Sequence, residues 1–218
     1  MANKTAKEIV QAIMDCASNE YNPQGTFKHP RSGQVAHMCF TGGEPLMRHG
    51  QMAFVEIMEE FKHRENIPSS ITFETNGTQK LTDDFIEYVT NKDKHNVHTF
   101  ISCSPKLWSV AGEKPEKAIK PDNLAEFDRV FKNCNAKGPV GQLKFVLGSK
   151  KEQWEELESV IHQFRSKGLD WPVYIMPVGA TVEEQEESAG KVAELAFKRG
   201  YNVSGRLHCY LFGNAIGT

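Results

Sequence analysis

The chain has 218 residues, 39% hydrophobic and 25% charged, enough apolar material for a sizeable core and not a disordered composition. Its formal charge of −2, from 26 Lys and Arg against 28 Asp and Glu, lacks the basic footprint of a non-specific nucleic-acid binder, so no direct nucleic-acid partner is expected. No window nears the ~18 consecutive apolar residues of a membrane span, and the opening MANKTAKEIVQ has no apolar signal-peptide core. These features predict a soluble cytoplasmic chain, one domain over residues 1–218, with no membrane partner.

The elements follow in chain order. Thr5-Ala6-Lys7-Glu8 fits a capping box, with Ile9, Ile13, Met14 and Ala17 behind it at helical spacing. A Gly-, Pro- and Asn-rich loop (21–33) leads to a short strand at 35–40, and a helix over 52–61 places Phe54, Ile57, Met58 and Phe61 on its buried face. A strand at 71–74, a helix over 82–89 and a strand at 98–102 come next. Residues 106–120 read as a loop, and a helix over 123–131 buries Leu124, Phe127, Val130 and Phe131. A strand at 142–147 precedes a long helix over 150–167 with Trp154, Leu157, Ile161 and Phe164 inward. A strand at 173–176, a helix over about 182–199 and a last strand at 206–212 complete the chain. Strands alternating with helices predict βαβ units and a parallel sheet. The chain opens on a helix where such a repeat opens on a strand, so a leading strand is expected to be missing.

Polar, Gly- or Pro-containing segments fall where these strands end: Thr41-Gly42-Gly43-Glu44-Pro45, Thr75-Asn76-Gly77-Thr78, Ser104-Pro105-Lys106 and Pro177-Val178-Gly179. The carboxyl ends of parallel strands share one face, where ligands bind. Paired glycines let backbone approach a ligand closely. Glu44 could accept from a ligand ammonium, and Ser104 and Lys106 could hold hydroxyl or carboxylate groups. Each has a plainer reading. Gly-Gly after a strand is often only a tight turn, NGT is a turn signal, a lysine is commonly a solvated surface residue, and EEQEES (183–188) suits an exposed first helical turn. His208 reads as a core histidine. The five cysteines, Cys16, Cys39, Cys103, Cys134 and Cys209, are scattered, odd in number and read as reduced, mostly small apolar fillers.

FTGGEPLM (40–47) resembles the GGEP motif of radical S-adenosylmethionine enzymes. FETNGT (73–78), SCSPK (102–106), KFVL (144–147), MPVG (176–179) and RLHCYLFGNAIGT (206–218) narrow the resemblance to the 7-carboxy-7-deazaguanine synthase family. The resemblance implies an α/β fold, a partial (β/α) radical-SAM-type barrel of parallel strands. It implies a lyase of queuosine and 7-deazapurine biosynthesis that contracts the ring of 6-carboxy-5,6,7,8-tetrahydropterin to 7-carboxy-7-deazaguanine with loss of ammonia. Its cofactors are S-adenosyl-L-methionine, a [4Fe–4S] cluster that cleaves it to a 5′-deoxyadenosyl radical, and Mg²⁺. Its partners are the small-molecule pterin substrate, an electron donor such as flavodoxin, and a second copy in a homodimer. Carried over by position, Gly42, Gly43 and Glu44 with Ser104, Pro105 and Lys106 match S-adenosylmethionine contacts, and Thr41 and Thr218 match substrate contacts.

The departure from the family lies at the front. The family's CxxxCxxC loop, whose three thiolates hold the cluster, is absent from this sequence, and the Mg²⁺-binding threonine that follows it is absent too. The first strand and cluster loop are thus expected to be missing, and no catalytic residue or metal ligand is assigned within the chain. Phe212, Ala215 and Ile216 also stand where the family favours Trp and basic residues. Three arrangements satisfy this pattern: an N-terminally truncated product, one half of a split enzyme, or a cluster-free relative that only binds S-adenosylmethionine or a pterin-like ligand.

Overall fold

The computed structural model describes residues 4–135 and 138–213. The fold is α/β, with a parallel six-stranded sheet in the order β1 (Met38–Phe40), β2 (Ser70–Thr75), β3 (His98–Cys103), β4 (Gly141–Leu147), β5 (Val173–Pro177) and β6 (Asn202–Val203). The helices among the described residues are α1 (Ala6–Ala17), α2 (Arg48–His63), α3 (Asp83–Thr90), the short α4 (Trp108–Ala111) and α5 (Pro115–Ala118), α6 (Pro121–Cys134), α7 (Lys151–Ser166), α8 (Val182–Lys198) and α9 (Leu207–Phe212). Among these none is long and apolar enough to cross a membrane. Two compact units are present: residues 1–74, 79–101 and 129–140 form the first, and residues 75–78, 102–128 and 141–218 the second.

In the first unit, α1 starts on the expected capping box: the Thr5 hydroxyl accepts from Glu8 N, and the Glu8 carboxylate accepts from Thr5 N at 2.7 Å. Its buried residue is Val10, outside the spacing of Ile9, Ile13, Met14 and Ala17, of which the first three are half-buried and Ala17 is exposed. Helix α2 buries Phe54, Ile57, Met58 and Phe61 as its period requires. Phe54 packs at about 5 Å against Phe40 and Phe73, and Phe85 of α3 lies beside both Phe54 and Phe131. This aromatic core covers only one face of the β1–β2 pair.

His95 is sealed against this core. It is 4% exposed, stands edge-on to Phe54, and its Nε2 lies 3.1 Å from the Thr99 hydroxyl while Nδ1 has no partner among the described residues. Burial disfavours the imidazolium and lowers the pKa from 6.5 to about 4. The unfolded chain therefore takes up this proton near pH 6.5 and the folded chain only near pH 4. The stabilising contribution is complete above pH 6.5 and is lost as pH falls through that window. Up to ~3 kcal/mol is at stake. Urea unfolding at pH 7 and pH 4.5 should show this fall, and His95→Leu should flatten it. An equally steep fall in the variant would assign the dependence elsewhere.

The second unit is built on β4 and β5, paired in register from Leu143 with Val173 to Leu147 with Pro177. Leu143, Phe145 and Leu147 are fully buried, as are Leu157 and Phe164 of α7 and Val192 and Ala196 of α8. Trp154 is held at both ends of its indole: Nε1 donates to Gly148 O at 3.1 Å, and the Arg199 guanidinium lies 4.7 Å over the ring.

Three expectations are corrected. Residues 206–212 are not a strand: Leu207–Phe212 is helix α9, and the sixth strand is Asn202–Val203, paired with Tyr174 and Ile175 of β5. A short apolar run between Gly205 and Gly213 does not declare its period, and tertiary context decides. The segment 106–120 is not wholly loop, because it contains α4 and α5. Helix α4 forms because the Glu156 carboxylate, 48 residues away in sequence from Trp108, accepts from the N–H of Trp108 (2.7 Å) and Ser109 (2.9 Å). Finally, β1 is shorter than 35–40, since Val35 bridges to Lys28 and Ala36 N donates to Phe27 O.

Candidate functional site

Parallel strands are usually buried on both faces. In the first unit, β1 and β2 depart from that rule. Met38, Phe40, Ile71 and Phe73 point to the core, whereas His37, Cys39 and Thr41 alternate onto the other face with Ser70, Thr72 and Glu74. The polar side chains are linked across the pair. His37 Nδ1 lies 2.9 Å from Ser70 Oγ, His37 Nε2 lies 2.6 Å from Thr72 Oγ1, and Thr41 Oγ1 donates to Glu74 Oε2 at 3.1 Å.

This polar face runs up to Gly42 and Gly43. Both adopt left-handed backbone, φ +86° and +51°, yet a Cβ at either would meet nothing within 4 Å among the described residues. Glycine is needed here for conformation and not for crowding. Both are exposed, and no hydrogen bond among the described residues engages their backbone. Their N–H and C=O groups are the kind of open backbone that a polar ligand uses. Glu44 is drawn back into its own loop, its Oε1 accepting from Leu46 N at 3.0 Å.

In the second unit, Ser104 and Lys106 are half-buried and Pro105 is buried, directly after β3. Ser104 N donates to Thr75 O at 2.7 Å, which fixes the backbone. Neither the Ser104 hydroxyl nor the Lys106 ammonium is held by another described residue. Beside them, NGT is the turn its composition implied: Gly77 has φ +76°, and Thr78 N donates to Asn76 Oδ1 at 2.9 Å. Thr218 lies outside the described residues, as does the side chain of His208.

Sequence reading missed the residues that brace these loops. Four buried amides in the first turn of a helix each clamp a loop. Gln51 Nε2 donates to Leu46 O (2.7 Å) and Lys80 O (2.8 Å) while its Oε1 accepts from Thr82 N (2.8 Å). Asn123 Nδ2 donates to Thr78 O at 3.0 Å, and Gln153 Oε1 accepts from Gly148 N at 2.9 Å. Gln185 Nε2 donates to Pro177 O (3.1 Å) and Gly179 O (2.9 Å), so within EEQEES the four glutamates are exposed while Gln185 is buried and Ser188 half-buried. The signal was available. Gln51 falls on the same helical stripe as Phe54, Met58 and Phe61, and an amide on an apolar stripe marks a buried polar group that must be paired.

The thiols do not gather. Cys16 and Cys39 are exposed, Cys103 and Cys209 buried, and Cys134 half-buried with Sγ donating to Val130 O. Among the described residues no three His, Cys, Asp or Glu side chains converge as a metal site. The donor set therefore does not fit a [4Fe–4S] cluster, which needs three thiolates here, nor does it assemble a carboxylate site for Mg²⁺.

No family model matches the chain. Against curated proteins it is 28% identical over 187 residues to the 7-carboxy-7-deazaguanine synthase of Rhodopirellula baltica, covering 84% of this chain and 64% of that protein. It is 27% identical over 186 residues to the Pyrobaculum aerophilum synthase and 28% over 195 residues to that of Halobacterium salinarum, in each case over 84% of this chain. These matches cover 68% and 67% of those two proteins. The chain is similar to 7-carboxy-7-deazaguanine synthases. It spans about two-thirds of the length of these synthases.

Proposed function

We propose that this chain supplies the ligand-binding part of a 7-carboxy-7-deazaguanine synthase, holding S-adenosylmethionine and 6-carboxy-5,6,7,8-tetrahydropterin for ring contraction with loss of ammonia. The observation that carries this reading is the open Gly42-Gly43 backbone at the end of a polar strand face. The similarity to three synthases supports it. Gly42, Gly43 and Glu44 would take the polar end of S-adenosylmethionine through backbone groups and one carboxylate. Ser104 and Lys106 would donate to its hydroxyl and carboxylate oxygens, with Pro105 holding that turn rigid. Thr41, oriented by Glu74, and Thr218 would face the pterin. The radical chemistry belongs to the bound cofactors. This chain's own residues bind, orient and exclude water. A homodimer, an electron donor such as flavodoxin and a cytoplasmic setting complete the proposal.

The dispersed thiols favour a second reading for the chain by itself: a relative that binds these ligands without iron. Calorimetric titration of the 218-residue chain with S-adenosylmethionine tests the shared premise. One site per chain is expected, and Lys106→Ala should weaken it about tenfold by removing one charged hydrogen bond. A flat titration with both ligands would dispose of both readings. Iron–sulfur reconstitution with a reductant, on the chain fused behind a strand and CxxxCxxC loop taken from one of the similar synthases, then separates them, since only the synthase forms 5′-deoxyadenosine.

A further inference from the structure

The second unit contains a hollow of about 510 Å³ at the carboxyl ends of β4 and β5, a size that suits a small molecule. Val146, Val178, Ala180, Glu184, Glu187 and Arg206 are among its lining residues. Its polar groups differ in how they are occupied. Glu184 Oε2 accepts from Ala180 N (2.6 Å) and Thr181 N (3.2 Å) and so serves as the cap of α8. Ser188 Oγ points its proton at Val178 O (2.9 Å) and Glu184 O (3.0 Å).

Arg206 is different. Among the described residues its Nε–H, shut off from solvent, meets no acceptor, and none of them holds the guanidinium in a hydrogen bond or ion pair. A sealed donor without a partner is unfavourable and is relieved when an acceptor reaches it. Two carboxylates line the same hollow and neither pairs with it. The acceptor that matches a guanidinium fork best is a carboxylate taken through two parallel N–H groups. The apolar walls at Val146 and Val178 suit a planar ring.

We propose that this hollow binds a carboxylate-bearing heterocyclic ligand, with Arg206 taking the carboxylate. The inference rests on the function proposed above, in which both reactants carry that group: S-adenosylmethionine on its methionine end and the tetrahydropterin on its ring.

Calorimetry on the full chain and on Arg206→Gln tests it with two matched pairs. These are pterin-6-carboxylate against pterin, and S-adenosylmethionine against 5′-methylthioadenosine. In the unaltered chain at least one carboxylate-bearing member binds about tenfold or more tighter than its partner, and Arg206→Gln abolishes that preference. The pair that loses it names the source of the carboxylate. Arg206→Lys retains part of the preference, and since no described residue bonds the Arg206 guanidinium, both variants unfold at the parent temperature. Benzoate separates the two claims, because it has the acid and a ring but no other feature of either reactant. If benzoate alone binds in an Arg206-dependent way, the anchor stands and the proposed function fails. If both reactants bind and neither preference depends on Arg206, the function stands and the anchor is overturned. If nothing binds, both are overturned.

Discussion

Gly77→Ala lowers the unfolding free energy by ~3 kcal/mol, combining the cost of a left-handed non-glycine residue with that of an overpacked core. The first part follows from φ +76°. The second follows from the position a methyl group would take, 2.5 Å from Leu124 Cδ1 and 2.8 Å from Cys103 Sγ. Leu124 and Cys103 are 1% and 0% exposed, so neither can swing out to solvent. The turn must shift, and with it the Thr78 carbonyl held by Asn123 at 3.0 Å. Gly43→Ala is the matched control. It also occupies left-handed backbone, φ +51°, but its methyl group meets nothing within 4 Å among the described residues, so only the conformational cost of ~1–2 kcal/mol applies. Urea unfolding of the two variants side by side measures the difference. Equal losses would mean that the space around Gly77 is not closed.

Gln51→Leu carries the other large effect. The side chain is 1% exposed and uses both ends of its amide, donating to the carbonyls of Leu46 and Lys80 and accepting from Thr82 N and Thr82 Oγ1. Leucine fills a similar volume but leaves these backbone groups without partners, at ~1–3 kcal/mol for each that stays dry. The Lys80 side of the clamp is more open to water, which caps the total near ~3 kcal/mol. Gln51→Glu retains acceptors for Thr82 and should lose less than Gln51→Leu. The loop 41–46 is one of the segments tied down, so affinity for S-adenosylmethionine should fall in the leucine variant even at temperatures where it remains folded. Unchanged affinity in a folded Gln51→Leu chain would show that this loop does not depend on its clamp.

Periodicity was legible wherever packing follows from one element alone. The buried stripes of α2 and α7 are the ones their spacing implied, down to Phe54, Met58, Trp154 and Phe164. The cap at Thr5 and the turn at Asn76–Thr78 were also legible, because each closes within four residues. Elements held by distant partners were not. Helix α4 depends on Glu156, and β6 exists because Asn202 and Val203 meet β5.

The candidate site divides in the same way. Its loops were visible in sequence as Gly- and Pro-rich segments at strand ends, since φ-permissive and φ-fixed residues punctuate any chain. The occupation of each polar group was not. A glutamine on an apolar stripe, a Glu44 folded back onto Leu46 N and an Arg206 with no acceptor look alike in one dimension. Composition and spacing by themselves determined the parallel α/β class, the core stripes and the loops at the strand ends, because these depend on local backbone preference and hydrophobic period. Only the tertiary structure decided which polar groups are already paired and which are left for a ligand, because hydrogen-bond partners are chosen by approach in space, across tens of residues.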